Sequence, residues 1–134
     1  MYIQKNNKGS VILIVVFIIA LLSAVVVGIA QINTEELMLT TNQINSAQAI
    51  EAAYAGMNDA FAHLRSDSGW TTGFSNKSFN RGSYSVTVTG TLPELIVTST
   101  AVTSSGFTAK VIAEITVSNN SPYIIRVDQL KVNE

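Results

Sequence analysis

KGSVILIVVFIIALLSAVVVGIA, residues 8–30, decides how this chain is built. A lysine, a glycine and a serine lead into residues 11–30, which carry no charge. At a helical rise of about 1.5 Å per residue, such a run reaches roughly 30 Å, the thickness of a bilayer's hydrocarbon core. Outward on the N-terminal side, Lys5 joins Lys8, and no acid occurs before Glu35. This bias keeps the basic flank cytoplasmic and sends residues 31 onward across the membrane.

Of the 134 residues, about 100 remain after that segment, enough for one small domain and too few for a second, catalytic one. Eight basic and nine acidic residues give a net charge of -1; without Lys5 and Lys8 the balance is six to nine, or -3. A nucleic-acid partner would require a basic face, so nucleic acid is not expected. Cysteine is absent, so packing has to stabilise the exported domain without disulfides.

Beyond residue 30 the sequence turns polar, but no proline or turn cluster intervenes before Ser66-Asp67-Ser68-Gly69. One helix is therefore predicted from about residue 10 to about residue 64. Its second half has Ile44, Ala47, Ile50, Tyr54, Met57, Phe61 and Leu64 at intervals of three or four, a stripe expected to be buried. Glu51, Asn58, Asp59 and Arg65 fall off the stripe. His63 and Arg65 suit the negative end of the helix dipole.

The period then changes. Residues 70–81 are rich in Ser, Thr, Asn and Gly, with Trp70, Phe74 and Phe79 among them, and read as an irregular surface loop anchored by its rings. Tyr84, Val86 and Val88 alternate with Ser85, Thr87 and Thr89; residues 95–102 are largely β-branched; Phe107 to Val117 alternates again. These are three half-buried strands of an antiparallel meander, with turns at 90–94 and 104–106. A fourth strand at 123–132, after Asn119-Asn120-Ser121-Pro122, is expected at an edge. The fold class is α+β, with a long N-terminal helix packed on an antiparallel sheet of about four strands.

Lys8-Gly9-Ser10 followed by Val11-Ile12-Leu13-Ile14-Val15-Val16-Phe17 resembles the leader of type IV pilins and type II secretion pseudopilins. The alanine-rich segment from Ala47 to Gly56, with Glu51 embedded, is similar to that of minor pilins of the PilX type. The resemblance covers the whole chain and implies a division into leader (1–9), transmembrane or filament-core helix (10–30), amphipathic helix (31–65) and extracytoplasmic β-domain (66–134). It also implies cleavage by prepilin peptidase between Gly9 and Ser10, with Lys5 and Lys8 as leader charges. N-terminal methylation would follow, although Ser10 departs from the family's usual Phe or Met. Implied partners are other pilin subunits through the N-terminal helix, the inner-membrane assembly platform and membrane lipid. The implied location is the bacterial inner membrane, then a pilus or pseudopilus. Major pilins place a glutamate five residues after the cut; here that position is Ile14, which favours a minor subunit. Ala20, Ser23, Ala24, Gly28 and Ala30 allow close helix approach.

Two other readings of the N-terminus are an uncleaved single-pass anchor carrying a small binding domain, and a secretory signal cut after Gly28-Ile29-Ala30. The apolar run exceeds the usual signal core of about 7–15 residues. No enzyme is expected. His63 is the sole histidine, no cysteine could join it on a metal, and no Gly-x-Ser-x-Gly elbow accompanies His63 and Asp67. Neither cofactor nor metal is expected. Glu35 and Glu36 read as a solvated face. Asn76-Lys77-Ser78 and Asn119-Asn120-Ser121 match a sequon that is common by chance. Within the 70–81 loop, Trp70, Phe74 and Phe79 are the candidate surface contact.

Overall fold

The computed structural model describes residues 8–133; the leader charge expected at Lys5 lies outside them. One helix, α1 (Lys8–Ser66), is followed by strands β1 (Phe74–Phe79), β2 (Gly82–Thr91), β3 (Glu94–Thr103), β4 (Thr108–Val117) and β5 (Ile125–Asn133). The strands form one antiparallel meander in the order β1-β2-β3-β4-β5. The α+β class is as expected, and the sheet has five strands where about four were expected.

The additional strand is β1, inside the stretch that reads as a loop. It pairs with β2 through Phe74 and Val86, then through Lys77–Tyr84 to Phe79–Gly82, with a break in register between Phe74 and Lys77. Asn76 sits in that break at φ 49°. A bulge adds a residue and disrupts the alternation of sides, which removes the period-2 signal by which a strand is read from sequence. The last strand does lie at an edge, β5 pairing with β4 from Lys110–Asn133 to Val117–Ile125.

The chain separates into two compact units, Met1–Thr41 and Asn42–Glu134. The described part of the first is helix alone. From Gly9 it is apolar enough to cross a membrane, with a mean hydropathy of 3.3 over its most apolar 18-residue stretch. Large side chains from Val11 to Ile32 are exposed all round it. Ser23, Thr34, Thr40 and Thr41 donate their hydroxyls to carbonyls four residues back at 2.8–2.9 Å, so these polar groups are satisfied within the helix.

The second unit holds the core. Tyr84, Val86 and Val88 of β2, Leu95, Val97 and Ala101 of β3, and Ala109, Val111, Ala113, Ile115 and Val117 of β4 are buried together with Ala49, Ala52, Ala53, Met57, Ala60 and Leu64 of α1. The buried helix face therefore shares only Met57 and Leu64 with the bulky stripe expected from the sequence and is otherwise made of alanines and Gly56. Ile44 and Tyr54 are 52% and 37% exposed, Ala47 is exposed, and Ile50 and Phe61 only flank the core. Small residues won because the helix lies close to the sheet. A Cβ at Gly56 would fall 2.4 Å from Ser99 Oγ and 2.7 Å from Tyr84 Cδ2. A row of alanines at the same three-to-four spacing carries less hydrophobicity than the neighbouring Ile-Tyr-Phe row, so it is the weaker signal in sequence.

The helix ends where Asp67 N–H donates to the His63 carbonyl at 2.9 Å and the Asp67 carboxylate accepts from Gly69 N–H at 3.0 Å. The side-chain acceptor turns the chain out of the helix, as expected for this residue cluster.

Candidate functional site

Gly9 and Ser10 occupy the first turn of α1, both exposed. The first helical amides lack intrahelical acceptors, so this turn frays most readily. Lys8 is the first residue of the helix. Ile14 lies one turn further on, 55% exposed, in a run of apolar neighbours with no acid beside it. Glu35 and Glu36 are exposed, and among the described residues neither forms an ion pair. The small residues Ala20, Ser23, Ala24 and Gly28 interrupt the cover of branched side chains, and apart from its chain neighbours and the helix's own backbone nothing lies within 4 Å of a Cβ placed on Gly28.

Trp70, Phe74 and Phe79, singled out as a candidate contact surface, pack against the core, with Phe74 and Phe79 half-buried. Trp70 stacks on His63 with ring centres 4.9 Å apart and planes 19° apart. Phe74 meets His63 edge-on at 5.3 Å and Tyr84 edge-on at 6.2 Å, and lies tilted against Trp70 at 5.1 Å. Phe79 lies 6.3 Å from Tyr84. Offset and edge-to-face pairs of this kind contribute about 0.5–1.5 kcal/mol each beyond burial. Their first effect is to fix β1 and the segment before it onto the last turns of α1, while each ring keeps part of its surface open.

Sequence reasoning misses the polar tie beside these rings. Asp59 accepts a hydrogen bond from Tyr84 Oη at 2.7 Å and forms an ion pair with Lys77, whose ammonium also lies 4.7 Å from the centre of the Phe74 ring. Its position off the bulky stripe gives Asp59 the look of a solvated residue, yet its side chain is only 27% exposed. The Lys77 hydrogen bond, aided by that from Tyr84, holds the Asp59 carboxyl below the usual range. Burial, with Asp59 beside it, pushes the Tyr84 phenol up. Lys77 is raised by the same Asp59 contact. An acid on a helix and a lysine on a bulged strand 18 residues on leave no spacing signature, so only the folded chain brings them together.

On β5, Val132, Leu130 and Val127 pair with Val111, Ala113 and Ile115 and so belong to the helix-facing side of the sheet. They are nevertheless 41–46% exposed. Along its outer face, Arg126 and Asp128 pair at 2.6 Å and Asp128 accepts from Thr116 Oγ1 at 2.5 Å.

Comparison with protein-family models, with curated proteins and with solved structures finds no match to this chain.

Proposed function

We propose that the chain is a non-enzymatic minor pilin or pseudopilin subunit, inserted as a precursor, cut by prepilin peptidase between Gly9 and Ser10, and assembled into a type IV pilus or a related secretion filament. One observation carries this reading. A single helix, Lys8–Ser66, joins an exposed apolar half to a half that packs on a small antiparallel sheet. An exposed apolar surface of this size is unstable in water and needs lipid or neighbouring helices. The small residues along it suit helices, and the retained segment would pass from bilayer to filament core when the subunit is extracted. Ile14 in place of an acid supports a minor role, since no carboxylate is available there to pair with a neighbour's terminal amine. The uncovered apolar side of β5 adds a second surface suited to a neighbouring subunit.

The secretory-signal reading would cut after Ala30, within a helix that continues unbroken through that point. An uncleaved single-pass envelope protein is favoured by the same exposed helix and differs only in keeping its leader. The mass of the mature protein from cells with and without prepilin peptidase separates these readings. A chain beginning at Ser10 only when the peptidase is present supports the proposal, and a start at Met1 or Gln31 in both strains refutes it. Gly9→Val should leave the precursor uncut and absent from sheared filaments.

A further inference from the structure

Between α1 and the β1–β2 hairpin lies a cleft of about 310 Å³, lined by Gln48, Glu51 and Ala52 on the helix, by Phe79, Asn80, Arg81 and Gly82 on the hairpin, and by Thr103 of β3. We propose that this cleft binds a neutral sugar ring, a property independent of how the subunit is processed or assembled.

The first support is that the cleft is preformed. Gln48 and Glu51 are three residues apart and Ala52 is one further, so a single helix face presents two polar groups beside a small one that leaves room. Opposite them, Phe79 pairs with Gly82 across a two-residue turn in which Asn80 adopts φ 48°, a conformation asparagine tolerates better than most residues. The Arg81 carbonyl accepts from Ser104 N–H at 2.7 Å, and a Cβ on Gly82 would lie 2.4 Å from the Val102 carbonyl oxygen. The turn is thus held against β3 and its loop, and a ligand would not have to order it, which reduces the entropic cost of binding.

The second support is the chemistry of the rim. Among the described residues, the side chains of Gln48, Glu51, Asn80 and Arg81 make no hydrogen bond and no ion pair, although an acid and a base line the same cleft. Their charges cancel, so an anion would meet Glu51 and a cation would meet Arg81. The carboxylate only accepts, the guanidinium only donates, and the two amides do both. Four planar groups of mixed polarity beside a phenyl ring suit a ligand whose every hydroxyl both donates and accepts and whose C–H face is apolar. A volume near 300 Å³ is at the low end for ligand sites and fits one ring rather than a long chain.

Saturation-transfer difference NMR on the full chain in phosphatidylcholine nanodiscs, which contain no sugar-based detergent, tests this with glucose, galactose, mannose, fucose and N-acetylglucosamine. At least one sugar should receive saturation beyond empty nanodiscs, strongest on the protons of one ring face. Glu51→Ala and Arg81→Ala should each weaken its binding at least tenfold, while Lys131→Ala on the opposite sheet face should not. Trp70 fluorescence on heating should show that all three variants stay folded. Absence of binding across the panel overturns the proposal, as does binding indifferent to both cleft substitutions. Displacement of the sugar signal by glycine or alanine would assign the cleft to a zwitterion and overturn it equally.

Discussion

Gly56→Ala tests the closest approach of helix to sheet. In an open helix the change stabilises by about 1 kcal/mol, because alanine has the higher helix propensity. Here the new Cβ would lie 2.4 Å from Ser99 Oγ, 2.7 Å from Tyr84 Cδ2 and 3.0 Å from Tyr84 Cγ, well inside van der Waals contact. Neither neighbour can retreat easily. Tyr84 is buried and its hydroxyl is held by Asp59, and Ser99 has no exposed surface. Overpacking a tight core costs about 1–3 kcal/mol, and approaches this short belong to the upper part of that range, about 2–3 kcal/mol, which outweighs the propensity gain. The expected result is a net loss of about 1–2 kcal/mol, or a Tm lowered by roughly 4–16 °C for a unit of this size. Thermal unfolding of the full chain in detergent, followed by the fluorescence of Trp70, measures it. Ser99→Gly in the same chain should recover part of the loss, with a coupling on the order of 0.5–3 kcal/mol, because it removes the nearest obstructing atom. A Gly56→Ala variant stabilised to the extent of an open helix, or losses that simply add in the double variant, would refute the close helix–sheet contact.

Ser99→Ala alone should raise stability by about 1 kcal/mol in the same melt, since the Ser99 hydroxyl is buried without a hydrogen-bond partner. Leu64→Ala, at a fully buried position, should cost about 2–5 kcal/mol in a urea titration. Asp59 is held below the usual carboxylate range, so its stabilising effect is complete above about pH 3.9 and is lost as pH falls through the lower folded-state value. Urea midpoints measured between about pH 5 and pH 2 should therefore fall less steeply in Asp59→Asn than in the parent chain. Some slope should persist, because Asp128 is lowered too, by its hydrogen bonds from Thr116 and then Arg126. Lys77→Met should reduce stability at pH 7 but not in Asp59→Asn, since the two side chains act through one contact.

The helix from Lys8 to Ser66, its stop at Asp67 and the strands β2 to β4 were legible in the sequence because each announces itself locally. An uncharged run needs an apolar surrounding whatever else the chain does, and clean alternation from Tyr84 to Val88 and from Phe107 to Val117 assigns faces without knowledge of the partner. The candidate cut at Gly9 and the missing acid at Ile14 are also local, a matter of residue order alone. Tertiary structure decided the rest. Bulky side chains dominate the apolar pattern of a helix, and that pattern points to Ile44 and Tyr54 as well as to Met57 and Leu64; the sheet took only the last two and otherwise the alanine and glycine face, because only small side chains let a helix approach within reach of Ser99 and Tyr84. A bulge at Asn76 hid β1 inside an apparent loop. The Asp59–Lys77–Tyr84 tie and the cleft between Glu51 and Arg81 join residues that are distant in sequence, so no period or motif could have announced them.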